Sequence, residues 1–235
     1  MGLDVSAQVR YAFLLARLRE RLDPPARILE LGAAPGDQIA ALADQGYRTT
    51  AVDIGVASDE WADGTPGRMK ALFEDHGVDY VEWDLEQVPY PLEDASFDGV
   101  VFTEVFEHLR DFPVRSLEET VRVLRPGGLL FFSTPNAAYV RNRVDLLLGR
   151  TVYTPLPDWI AGVPHARHAR EYLFSEIDEV MQRVGLEVVY RTSRHFHLDG
   201  GSGPKRVAKR ALNELARRRP TMGPQIVMVA QRPGG

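Results

Sequence analysis

Cysteine is absent from this 235-residue chain, which excludes a disulfide framework, a thiolate metal site and a cysteine nucleophile. Long apolar runs are missing as well: stretches such as Gly128 to Ser133 fall far short of the roughly 20 residues that a membrane-spanning helix needs. The N-terminus has no basic-then-apolar leader pattern, so a cytoplasmic location is expected. There is no general surplus of positive charge. The net charge is −5, and the segment Pro204 to Pro220 carries seven basic residues against the single Glu214, leaving the rest of the chain at −11. A mainly acidic body argues against nucleic acid as a partner, and the basic run reads as a solvated helix face.

What is present is ordinary globular material. Hydrophobic residues make up 44% and charged residues 26%, enough apolar surface to bury a core. The length suits one domain over residues 1–235, opened by an N-terminal helix over 1–25. Short β-branched runs alternate with stretches of helical period, which argues for βαβ units around a parallel sheet. The expected order is a helix over Val5 to Leu22, then strands at Arg27–Leu31, Arg48–Val52, Asp79–Trp83, Asp98–Phe102, Leu129–Ser133, Leu186–Tyr190 and Gln225–Ala230. Helices fall between them, including Val114–Leu124 and Ser175–Val184, and Arg125-Pro-Gly-Gly128 reads as a turn before strand five. A short return should make the last of the seven strands antiparallel. The regular alternation lapses over 136–172, which is expected to form a helical cap over a substrate.

Ile28-Leu-Glu-Leu-Gly32-Ala-Ala-Pro-Gly36-Asp is a buried strand ending in a two-glycine turn and a helix start, a backbone that can approach a ligand at the carboxyl edge of the sheet. The middle glycine of a dinucleotide fingerprint is replaced by Ala34, so the ligand should lack a pyrophosphate. Three further elements follow in order: Ala51-Val-Asp53-Ile54 closing strand two, Asp84-Leu85 closing strand three, and the segments Ser96-Phe-Asp98 and Leu124-Arg-Pro-Gly-Gly128. Together they resemble the class I S-adenosylmethionine-dependent methyltransferase family over about Ala26 to Tyr190. The resemblance implies a Rossmann-like α/β fold and S-adenosyl-L-methionine as cofactor. It also implies roles for residues: Glu30, Gly32, Ala33 and Gly36 at the methionine end, Asp53 with Ile54 at the ribose, and Asp84 with Leu85 at the adenine.

Strand four runs into Thr103-Glu104-Val-Phe-Glu107-His108-Leu109. On a helical turn Glu104, Glu107 and His108 would share one face, and two carboxylates with an imidazole suit a divalent cation, Mg²⁺, Mn²⁺ or Zn²⁺. The segment resembles the metal-binding element of small-RNA 2′-O-methyltransferases and ubiquinone-pathway O-methyltransferases, in which a further histidine completes the shell; His165 and His168 are the candidates. Glu107 and His108 are the candidate catalytic residues; without metal, Glu104 would only line the cofactor pocket, Glu107 would be solvated, and His108 would be a helix-terminal residue or a general base. The cap's aromatics and arginines, among them Tyr153, Trp159, Arg141 and Arg170, suit a polar acceptor with hydroxyls. The expected function is therefore O-methylation of a saccharide or other small polar metabolite. N- or carboxyl-methylation, RNA 2′-O-methylation and a cofactor-binding pseudoenzyme stand as alternatives, and the sequence leaves the oligomeric state open.

Overall fold

A computed structural model describes residues 5–55, 65–161, 168–194, 207, 211, 214 and 218–234. His165 and most of the basic run lie outside the described residues. Seven strands, β1 (Arg27–Leu31), β2 (Arg48–Asp53), β3 (Asp79–Glu82), β4 (Phe97–Thr103), β5 (Leu124–Pro135), β6 (Glu187–Arg194) and β7 (Gln225–Gln231), form one sheet in the order β3-β2-β1-β4-β5-β7-β6. The first five are parallel, and β7 runs antiparallel to both β5 and β6.

Side chains alternate across each strand, so one sheet builds two cores. On one face Leu29, Val100, Leu130 and Phe132 pack beneath α4 (Pro113–Val123) and α7 (Phe174–Arg183). On the other, Ile28, Ala51, Val101 and Phe131 pack beneath α1 (Val5–Arg19), α2 (Asp37–Ala43) and α3 (Thr65–His76). Two further helices, α5 (Val140–Leu147) and α6 (Leu156–Ala161), lie in the connection between β5 and α7.

The seven expected strands are all found, and within the sheet one correction is of substance. Strand five starts at Leu124 instead of Leu129, because Arg125–Gly128 loops out within the strand instead of ending the preceding helix as a separate turn. Phe97 pairs with Leu124 and Gly99 with Leu129, so between these pairs one residue of β4 faces four of β5. The looped backbone is held by the end of the chain: Gly127 donates to the Arg232 carbonyl at 2.9 Å, and Arg232 donates back to Gly128 at 2.9 Å. Helix α1 also closes earlier than expected, at Arg19.

Candidate functional site

The strand order reverses between β1 and β4, since β2 lies on one side of β1 and β4 on the other. Connections leave a sheet in opposite directions at such a point, opening a crevice at the carboxyl ends of the strands. The turn after β1 runs through that crevice. Gly32 donates to Val52 O at 2.8 Å, Gly36 closes the turn on Ala33 O at 2.7 Å, and α2 starts from Gly36. Both glycines need positive φ, +71° and +98°, and a Cβ on Gly32 would stand 2.3 Å from the Val105 side chain. The backbone therefore passes over Val105 at a distance that only glycine permits.

Asp53, at the end of β2, is buried and already engaged: Oδ2 accepts from Ala34 N at 2.9 Å and Oδ1 from Gly55 N at 3.2 Å. It fastens the strand-one turn to the strand-two turn, and a carboxylate with four acceptor positions retains capacity for a ligand hydroxyl. Ile54 beside it leaves its apolar side chain exposed. At the end of β3, Asp84 Oδ1 accepts from Glu86 N at 2.9 Å, and Leu85 is buried with its carbonyl taken by the Ser116 hydroxyl at 2.9 Å. These residues occupy the ends of β1, β2 and β3 in sequence along one edge.

Glu30 is buried, and its Oε2 has no hydrogen-bond partner. Burial pushes its carboxyl well above the ordinary range; the Arg10 guanidinium pulls the other way, and the nearby Asp53 charge adds to the rise. Arg10 Nε is likewise buried and unpartnered. The Arg10 guanidinium lies over the Tyr11 ring at 5.4 Å, and its unpartnered Nε together with the unpartnered Glu30 Oε2 in one neighbourhood fits the carboxylate and ammonium of an amino-acid zwitterion, the methionine end of the expected cofactor. The sequence reading missed Arg10. Its signal was its spacing: Arg10 stands four and eight residues before Leu14 and Leu18, both buried, and so puts a cation on the apolar face of α1. Gln38 also has an unpartnered buried amide, but it lines a separate apolar hollow of about 120 Å³ with Tyr11, Leu14, Leu42 and Phe131.

The Glu104–His108 segment departs from the expected helical turn. β4 continues through Thr103, Glu104 has a left-handed backbone (φ 58°), and only Phe106–His108 form a 3₁₀ turn. Glu104 consequently shares no helix face with Glu107 and His108. Its carboxylate is held by the Ser133 hydroxyl at 2.6 Å and the Gln225 amide at 2.6 Å, at the tops of β5 and β7.

His168 comes in its place. Ligand atoms of Glu107, His108 and His168 all lie within 4.8 Å of one another, and the two imidazoles meet edge to face at 5.0 Å. The Glu107 carbonyl accepts from Ala169 N at 2.7 Å and Arg170 N at 3.2 Å, so the backbone itself brings the histidine back to the turn. Packing of Phe106 against Phe132 and Tyr172 anchors the same segment from below. His168 Nδ1 faces Glu171 Oε1 at 3.0 Å, which directs Nε2 elsewhere. Glu107 Oε2 accepts from Thr134 Oγ1 at 2.9 Å, and burial, then the charge of Glu104, hold its carboxyl well above the ordinary range.

A family model described as a methyltransferase domain matches residues 6–191. The chain belongs to the methyltransferase-domain family. A Mycolicibacterium smegmatis protein named a probable S-adenosylmethionine-dependent methyltransferase is 34% identical over 161 residues, 68% of this chain and 52% of that protein. The ubiquinone biosynthesis O-methyltransferase of Idiomarina loihiensis is 31% identical over 165 residues, 68% of this chain and 61% of the relative. The chain thus spans about half to three fifths of those relatives' length. In fold it is similar to an S-adenosylmethionine-dependent methyltransferase from Mesorhizobium loti, with TM-score 0.65 at 20% identity, covering 97% of this chain and all of that one (100%).

Proposed function

We propose that this chain transfers a methyl group from S-adenosylmethionine to a hydroxyl of a small molecule, with a divalent cation held by Glu107, His108 and His168. The convergence of those three side chains at the crevice carries the reading. Bound cofactor would supply a methyl group made electrophilic by its sulfonium. Glu30 and Arg10 would hold the amino-acid end, the Gly32–Gly36 turn would admit it, Asp53 would accept from the ribose, and Asp84 with Leu85 and Ile54 would enclose the adenine.

The cation would lower the pKa of a hydroxyl placed against it, preparing the oxygen for in-line attack. Ligands 2.0 to 2.2 Å from one ion stand roughly 3.0 to 3.6 Å apart, so the trio needs to draw in by about 1 Å. Glu104, fastened between Ser133 and Gln225, serves as a fixed wall of the crevice instead of a ligand. The insertion over 136–172 would act as the cap. Among its described arginines, Arg141 pairs with Asp145 at 3.5 Å and Arg143 donates to the Ala138 carbonyl at 2.7 Å, and Tyr153 is exposed. That weakens the saccharide reading, and the naming of the Idiomarina relative favours a ubiquinone-type hydroxyl.

The test is incubation with labelled cofactor and a panel of catechols, phenols and glycosides, with Mn²⁺ or with chelator. The reading predicts label on a hydroxylated acceptor, with the chelator reducing it at least a hundredfold. Transfer to an amine or carboxylate, or transfer indifferent to chelator, counts against it.

A further inference from the structure

Helices α1 and α2 do not close on each other along their whole contact. Between them, over Val101 and Phe131 of the sheet, lies a hollow of about 120 Å³. Its floor is buried and apolar, formed by Leu18 of α1, Leu42 of α2, Val101 and Phe131. Its rim carries two small side chains, the exposed Ala12 and the half-buried Ala41, so the hollow is reached from outside between the two helices. An apolar cavity of about 150 Å³ admits benzene, which sets the occupant here at about one small ring.

One wall breaks the apolar pattern. Gln38, Ala41 and Leu42 stand at i, i+3 and i+4 on α2 and share a face, and a leucine at position 38 would complete the core there. Gln38 is instead 5% exposed, and neither its amide nitrogen nor its carbonyl oxygen has a hydrogen-bond partner. A carboxamide offers two donor hydrogens and two acceptor positions, and burying both ends unpaired costs stability that an apolar side chain of the same size would not. A mostly apolar hollow with one convergent polar group has the make-up of a small-molecule site.

The two ends of the amide define the chemistry of the ligand. A hydrocarbon pairs with neither. A carboxylate accepts from the nitrogen only, and brings a charge against apolar walls with no cation among the described residues that line the hollow. A primary amide or a lactam presents a donor and an acceptor side by side and pairs with both ends at once. We propose that this hollow binds a small neutral molecule with an apolar ring and a primary amide or lactam edge, held by Gln38 through a paired donor and acceptor. The inference does not depend on the proposed reaction.

The experiment is ligand-observed NMR titration of the full chain with benzamide, benzoate and toluene, with and without saturating S-adenosylhomocysteine. Benzamide should bind at least tenfold more tightly than either of the others, and S-adenosylhomocysteine should not displace it. Gln38→Leu should reverse the preference, weakening benzamide at least tenfold and toluene not at all, while its unfolding stays as cooperative as that of the unaltered chain. Ala41→Trp, which fills the hollow from the rim, should abolish binding of both. A chain that binds no benzamide overturns the inference, since water alone would then pair with Gln38. Equal affinity for benzamide and toluene overturns it too, as does benzamide binding that survives either substitution unchanged. So does displacement of benzamide by S-adenosylhomocysteine, which would put the probe in the crevice.

Discussion

The two sides of the crevice are built by different means. On the β1–β2–β3 side, glycine backbone, an aspartate already tied to two turns, and buried polar atoms without partners form a cradle whose shape is set before any ligand arrives. On the β4–β5 side, the groups that would do chemistry come from one 3₁₀ turn and from the far end of an insertion, joined by backbone hydrogen bonds to the Glu107 carbonyl. The first side is a preorganised binding surface; the second depends on a long loop returning to the correct place. Substitutions should therefore separate binding from transfer, and each of the following can break that separation.

The largest effect belongs to the transfer side. Glu107→Gln or His168→Ala should lower turnover by about 10²- to 10⁴-fold, while calorimetry finds cofactor affinity within about threefold of the unaltered chain, a margin of roughly 0.65 kcal/mol. Equal losses in both would mean that the two sides are one unit. Next comes the cradle backbone. Gly32→Ala combines a positive φ with a Cβ 2.3 Å from Val105, and should lose about 2 to 4 kcal/mol of stability together with cofactor binding. Adding Val105→Ala should recover the steric part only, which denaturant midpoints can read.

Asp53→Ala should weaken cofactor binding by roughly 1.5 to 3 kcal/mol, the range for hydrogen bonds to a charged group. Because Asp53 also holds Ala34 and Gly55, hydrogen exchange of those two amides should quicken in the same variant. The smallest effect should be opposite in sign. Glu30 has a folded-state pKa raised by burial, so the folded chain binds its proton more tightly than the unfolded chain, and stability is lost as pH rises from the ordinary glutamate range through the raised value. Glu30→Gln should accordingly make the cofactor-free protein more stable at neutral pH, by about 1 to 2 kcal/mol, and flatten the pH dependence of its thermal midpoint above pH 5.

The contrast between the sides also explains what could be read from the sequence. The positions of the β1 turn, Asp53 and Asp84-Leu85 at strand ends were legible from the short β-branched runs that form the strands, whereas their cofactor roles came only through the resemblance. Glu104 was misplaced because spacing of i, i+3 and i+4 presumes an α-helix; the left-handed residue that ends β4 leaves no such mark in the sequence. His168 was legible as a candidate only through the resemblance, since the hydrogen bonds from Ala169 and Arg170 to Glu107 span some sixty residues. Arg10 went unread because a helix that precedes the sheet carries no motif beyond its own apolar spacing. The looped start of β5 was read as a turn, since Pro-Gly-Gly gives the local bend but not the end of the chain that holds it.

The central claim, that the buried Glu30 and Arg10 groups are poised for the amino-acid end of the cofactor, is tested most directly by titrating S-adenosylhomocysteine into the chain and into Glu30→Gln at neutral pH. The account predicts one binding site in the unaltered chain, weakened at least tenfold in the variant, about 1.4 kcal/mol or more, even though the variant is the more stable protein. Absence of binding to the unaltered chain, or equal affinity in the two, would contradict it.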